Sequence, residues 1–332
     1  MTPRPTHLLF ALAALGLLLA ATGCGGTSAS AQGDKMTLVA YSTPREAYEE
    51  LTKQFAQTTA GEGVSFDESY GSSGEQSRAV EAGLRADIVA FSLAPDMKRL
   101  VEADLVDPGW ASAEFDGMIT NSVVVFAVRK GNPKGVKTWD DLIQDGVEVI
   151  TPNPFTSGGA RWNVMAAYGA QQRLGKTHEQ AVEYVGELFK HVSVQDKSAR
   201  ESLQTFTGGK GDVLLAYENE AITAQQKGEE LDYVIPDQTI LIENPIAVTK
   251  DSNEKAPAFL EFLRSEQAQK VFAEKGYRSV LPSVLDASDY PQPKVLFSID
   301  SLGGWDKVQE TFFDREEGIM AGIQREVGAA LE

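Results

Sequence analysis

Small hydroxyl and glycine residues collect at three points where a β-rich run passes into an amphipathic one. These are Tyr70-Gly-Ser-Ser-Gly74, Thr151-Pro-Asn-Pro-Phe-Thr-Ser-Gly-Gly159 and Gln195-Asp-Lys-Ser-Ala-Arg200. Ser and Gly at a helix start leave main-chain N–H groups directed outward, and the helix dipole favours an anion there. Glycine also lets a ligand approach the main chain closely. Each loop alone is explained as well by ordinary helix capping, with Ser73 expected as the N-cap of the first. Three at the strand ends of one α/β body shift the balance toward a shared oxyanion site, because open α/β sheets bind ligands beyond the carboxyl ends of their strands.

Catalytic chemistry finds less support. Only His178 and His191 lie outside the first few residues, one just after a Thr N-cap and the other at a helix end, and both read as solvated. Gly71-Ser-Ser-Gly74 is not the Gly-x-Ser-x-Gly elbow of hydrolases. Gly208-Gly-Lys-Gly211 lacks the Gly-Lys-Ser/Thr ending of a phosphate loop. Asp314-Arg-Glu-Glu317 reads as a solvated helix face, and Trp110 and Trp162 as core. No catalytic set, metal site or cofactor motif emerges, so a binding protein rather than an enzyme is expected. With 30 Lys and Arg against 48 Asp and Glu, the net charge of −18 argues against a nucleic-acid partner, which needs a basic face.

The elements that must hold these loops alternate along the chain. At 332 residues and 42% hydrophobic the sequence suits two globular domains. Strands are expected at Thr37–Tyr41, Val64–Phe66, Asp87–Phe91, Val123–Val128, Val147–Ile150, Val192–Val194, Val213–Ala216 and Ile246–Val248. Helices fall between them, beginning near Pro44 and covering about Gly74–Leu84, Ala160–Leu174 and His178–Lys190. Such alternation predicts α/β layers with mostly parallel sheets. Val123–Val128 and Ile246–Val248 enclose an α/β block, so the chain is expected to cross into a second lobe and return, leaving the first lobe discontinuous.

The N-terminus sets a compartment. A basic start, the apolar run Leu8–Ala21 and Thr22-Gly23-Cys24 make an export signal too short to span a bilayer comfortably. The sole cysteine stands where the signal ends, which resembles the lipobox of bacterial lipoproteins, with Ala21 where that motif usually has leucine. Residues 1–23 are therefore expected to be a lipoprotein signal peptide, Cys24 the acylated residue, and 24–35 a flexible tether.

Around the three loops the sequence resembles the bacterial sulfate-binding protein family, the extracytoplasmic receptors of sulfate/thiosulfate ABC importers. The resemblance rests on Ser69-Tyr-Gly-Ser-Ser-Gly-Glu-Gln76, Arg129-Lys-Gly-Asn-Pro133, Val149-Ile-Thr-Pro-Asn-Pro154, Ser157-Gly-Gly-Ala-Arg-Trp-Asn163 and Gly211-Asp-Val-Leu-Leu-Ala-Tyr-Glu-Asn-Glu-Ala221. It extends from about Met36 to the segment holding Gly303-Gly-Trp305. It implies a two-lobed, type II periplasmic-binding-protein-like fold with two crossing hinge strands and the ligand in the cleft. Lobe 1 would comprise 36–122 plus 246–300, lobe 2 would be 123–245, and 301–332 a C-terminal helical segment. As anion ligands it implies the N–H and hydroxyl of Ser73, the Ser157 hydroxyl, and the N–H groups of Gly158, Gly159 and Ala199. Tyr217 stands where the family has a donor tryptophan, Ser42 where it has an orienting aspartate, and Ser198 where it has glycine. Ser42, Ser72, Ser198 and Arg200 are expected just behind the ligands. Arg45, Arg161 and Arg200 are expected to pair with carboxylates such as Glu218 or Glu220 rather than touch the anion.

Taken with the lipobox-like N-terminus, the resemblance implies a monomer, lipid-anchored at the outer face of the cytoplasmic membrane, that passes sulfate or thiosulfate to permease subunits and their ATPase. A receptor for molybdate, tungstate or phosphate is the nearest alternative. An exported sulfo- or phospho-ester hydrolase and a signalling sensor stand further off.

Overall fold

The computed structural model describes residues 34–331, so the signal peptide, Cys24 and most of the tether lie outside the described residues. The chain first alternates β1 (Lys35–Tyr41), α1 (Arg45–Phe55), β2 (Ser65–Gly71), α2 (Ser73–Glu81), β3 (Ile88–Ala90) and α3 (Ala94–Glu102). It then runs through β4 (Met118–Arg129), β5 (Val149–Ile150), α4 (Gly158–Arg173), α5 (His178–Lys190), β6 (Val192–Val194), α6 (Ala199–Thr207), β7 (Val213–Tyr217), α7 (Glu218–Gln226), β8 (Leu231–Val234) and β9 (Gln238–Val248). The remainder holds α8 (Ala256–Arg264), α9 (Glu266–Glu274), β10 (Arg278–Ser279), α10 (Pro282–Asp286), β11 (Val295–Phe297), α11 (Gly304–Phe313) and α12 (Ile319–Val327).

The strand order is β2-β1-β3-β9-β4-β7-β5-β6. The sheet is mixed, which corrects the expectation of mostly parallel pairing. β1 pairs β2 and β3, and β5 pairs β6 and β7, in parallel, as right-handed crossovers require. Every antiparallel contact on the main path involves β4 or β9. These two strands pair with each other over Met118–Val123 and Leu241–Pro245; β9 then reaches β3 and β4 reaches β7. A connection that must leave one half-sheet and return to it runs in opposite directions on its two passes, and alternating β-rich and helical runs carry no trace of that.

β4 explains its own burial. Val123, Val125 and Ala127 face one apolar cluster with Leu214 and Phe206, whereas Val124, Phe126 and Val128 face another with Trp139 and Trp162. A strand covered on both faces reads as a continuous apolar run, which is what Val123–Val128 is. A separate core, built from Leu38, Ala47, Tyr48, Leu51, Phe55 and Phe259, supports the half-sheet around β1. Burying each Leu or Phe side chain there stabilises by about 1.5–3 kcal/mol.

The Gly303-Gly-Trp305 motif is structural. Gly303 and Gly304 have φ of 105° and 79°, a left-handed pair that other residues rarely adopt, and they turn the chain into α11. Trp305 then meets Trp162 edge-on, with ring centroids 4.7 Å apart. Trp162 in turn donates its indole N–H to the Ser92 carbonyl at 2.8 Å, so the C-terminal segment braces the residues that follow β3.

Candidate functional site

Six strand-to-helix junctions converge on one small, tightly closed cavity. β1 ends in Tyr41, Ser42 and Thr43; β2 ends at Gly71 before Ser72 and Ser73; the residues after β3 bring Ser92. From the other half-sheet come Ser157, Gly158 and Gly159 at the start of α4, Ser198 and Ala199 at the start of α6, and Tyr217 between β7 and α7. No residue on this wall carries a charge.

α2, α4 and α6 begin at the cavity, so their first-turn N–H groups, which have no partner inside a helix, are brought together. Ser157 is the N-cap of α4 and accepts from the Ala160 N–H at 3.4 Å, leaving its own proton free to give. Ser198 caps α6 through a reciprocal box: its Oγ accepts from the Glu201 N–H at 3.3 Å, and Glu201 Oε2 accepts from the Ser198 N–H at 3.1 Å.

Several expectations change at this point. The N-cap of α2 is Ser72, not Ser73, and the Ser72 hydroxyl donates to Glu75 Oε2 at 2.8 Å. The Ser73 hydroxyl accepts from the Ser92 N–H at 2.9 Å and gives its single proton to Asp96 Oδ2 at 2.6 Å. Only the Ser73 N–H remains for a ligand. Gly158 is required for packing against the opposite wall, since a Cβ there would lie 2.7 Å from Ser92 Oγ and 2.8 Å from Leu93 Cδ2. Gly159 is less constrained, with the nearest atom 3.4 Å from the position of a Cβ.

Arg200 does not line the cavity. Its guanidinium donates to the Ser42 carbonyl at 3.0 Å and to both oxygens of Glu46 at 2.8 and 2.5 Å. Lys227 reaches the same carboxylate. Burial opposes ionisation of Glu46, but the hydrogen bonds from Arg200 and Lys227 outweigh it and hold the carboxyl down at about 2. The arginines thus find partners other than Glu218 and Glu220. Glu218 is paired with Arg278, Arg161 bonds the Pro154 carbonyl and Gln309, and Arg45 lies over the Tyr70 ring. Glu220 sits fully buried behind Tyr217, accepting its N–H at 3.3 Å, and burial pushes its carboxyl up to about 7.

Tyr41, Thr43, Gly71 and Ser92 were not foreseen on the wall. Ser92 had a legible signal, a hydroxyl directly after the apolar strand run ending at Phe91, the same placement as Ser42 after Tyr41. Its Oγ lies 2.6 Å from the Tyr217 phenol oxygen, a buried bond that joins the two half-sheets.

A cavity of main-chain donors held between two α/β halves on two shared strands belongs to the class of two-lobed extracellular solute-binding proteins. The model of the "Bacterial extracellular solute-binding protein" family matches residues 36–278. The sulfate-binding protein of Synechococcus elongatus is 42% identical, with 93% of this chain and 94% of that protein covered. The thiosulfate-binding protein of Pseudomonas aeruginosa is 36% identical, with 90% and 94% covered. The structure of the sulfate-binding protein SubI from Mycobacterium tuberculosis superposes with a TM-score of 0.82 at 42% identity, covering 85% of this chain and 100% of that one. The chain belongs to the sulfate-binding protein family. Membership makes it an exported bacterial protein.

Proposed function

We propose that the protein is an extracytoplasmic receptor that binds sulfate between its lobes and delivers it to the membrane permease and ATPase of an ABC importer. The observation that carries this reading is the uncharged wall, where three helix N-termini and the Ser157 hydroxyl converge. Sulfate is fully ionised at neutral pH and only accepts hydrogen bonds. The N–H groups of Ser73, Gly158, Gly159 and Ala199, with the Ser157 hydroxyl, supply donors to it, and helix dipoles take the place of a counter-ion. Hydrogenphosphate carries a proton that needs an acceptor, and main-chain N–H groups offer none, so it is disfavoured. Thiosulfate shares the acceptor-only chemistry and fits as a second ligand.

The lobes are assigned as 36–122 plus 246–300 and 123–245, with 301–332 bracing the second. Closure of the two around the ligand gives the shape a permease would recognise. Acylation at Cys24 would hold the receptor at the membrane, and the export signal before it supports that arrangement. Calorimetric titration of residues 25–332 with sulfate, thiosulfate, phosphate and molybdate tests the ligand class. One-to-one binding of sulfate is expected, and silence to every oxyanion would refute the reading.

A further inference from the structure

Ser92 is held more firmly than its place in a loop would require. Its N–H donates to Ser73 Oγ at 2.9 Å, and its carbonyl accepts from Trp162 Nε1 at 2.8 Å and Asn244 Nδ2 at 3.0 Å. With the main chain fixed on three sides, the side chain is aimed into the cavity beside the first residue of α4. There its hydroxyl has one protein partner, the Tyr217 phenol at 2.6 Å. Each of these hydroxyls owns a single proton, so one gives to the other and the receiver keeps a proton to spare. A phenol is the stronger acid of the two and therefore the natural giver.

We propose that Ser92 is itself an anion ligand and that Tyr217 acts through it, the phenol donating to Ser92 Oγ while the Ser92 proton goes to an oxygen of the sulfur oxyanion. The assignment rests on the sulfate reading above. It adds a second donor from the first half-sheet, beside the Ser73 N–H, to those of the second. Because Ser92 and Tyr217 stand on opposite halves, the pair also ties the strength of that donor to closure of the cleft.

Sodium sulfate is titrated at pH 7 into the wild type, Ser92→Ala, Tyr217→Phe and the double variant, and the ligand-free melting temperature of each is recorded. Ser92→Ala is expected to weaken sulfate binding about tenfold or more, the loss of one hydrogen bond to a charged group. Tyr217→Phe leaves the Ser92 proton in place and is expected to cost less than about fivefold, and the double variant to bind no more weakly than Ser92→Ala. Should Ser92→Ala fail to fold, Ser92→Cys keeps the size with a weak donor and is expected to show the same loss. Undiminished binding by Ser92→Ala, or a larger loss in Tyr217→Phe than in Ser92→Ala, overturns the assignment and leaves the receptor reading standing. A wild type silent to sulfate overturns the receptor reading itself.

Discussion

Replacing Glu46 with glutamine should weaken sulfate binding although Glu46 lies outside the cavity wall. Glu46 is on α1, packed with the β1 half-sheet, whereas Arg200 on α6 and Lys227 just beyond α7 belong to the β7 half. The carboxylate and its two cations therefore meet only when the halves are together. A carboxyl brought from 4.5 to about 2 reflects roughly 3 kcal/mol in favour of the ionised pair. Glu46 and Arg200 keep 22% and 24% of their side-chain surface, so solvent screening and side-chain ordering reduce this to about 1–2 kcal/mol. If the free protein is largely open, the whole of that enters the binding free energy, which corresponds to a roughly five- to thirtyfold rise in Kd for Glu46→Gln. The sign with pH follows from the lowered carboxyl. Its contribution is complete above about 4.5 and fades as pH falls toward about 2, so wild type and variant should converge in acid. Sulfate titrations at pH 7 and pH 3, each in low salt and in 0.5 M chloride, provide the assay. Equal affinities of the two proteins at pH 7 in low salt would refute the reasoning, as would a difference indifferent to both salt and pH.

Ser157→Ala should cost roughly 1–3 kcal/mol of sulfate binding through a lost charge-assisted bond, and about 1 kcal/mol of stability through the lost cap on α4, read by calorimetry and by denaturant melts respectively. Unchanged affinity would remove Ser157 from the site. Gly158→Ala should lower sulfate affinity more than tenfold and reduce stability with it, because the added methyl collides with Ser92 and Leu93 on the opposite wall; titration giving wild-type affinity would contradict that packing. Glu220→Gln tests the buried carboxyl at about 7: the cost of ionising it is absent below about 4.5, grows as pH rises, and is complete above about 7. The variant should therefore gain up to about 3 kcal/mol at pH 8 and almost nothing at pH 4.5 in chemical denaturation, and an equal gain at both would exclude this cause.

Much of the frame was legible because burial leaves periodic traces. His178–Lys190 and Val192–Val194 lie where capping and β-branched runs placed them, since Thr177 and Gln180 form a capping box and the strand is a clean apolar pair. α3, α8 and α9 leave fainter traces, because they are short amphipathic helices whose signals are hard to separate from loops. β9 spans Gln238–Val248, yet only Ile246–Val248 stands out in the sequence, because Glu243, Asn244 and Pro245 interrupt the apolar run just where the strand passes from β4 to β3.

At the site, the residue types that hold main-chain donors were readable, since Ser and Gly at helix starts have local causes. Ser72, Ser73, Ser157, Gly158, Gly159, Ser198 and Ala199, all in those loops, reach one wall, joined by Ser42 and Tyr217, to which only the family resemblance points. Partnerships across the cleft were not readable. That Ser73 spends its proton on Asp96, or that Arg200 chooses Glu46, depends on which halves face each other, and no spacing along the chain encodes it.

The most direct test is competition between sulfate and hydrogenphosphate for the wild-type protein, measured by calorimetry at pH 7 after exhaustive dialysis. One-to-one sulfate binding that a large excess of phosphate fails to displace is the predicted result. Binding of the two with similar affinity would contradict the claim that converging main-chain donors select an anion without a proton.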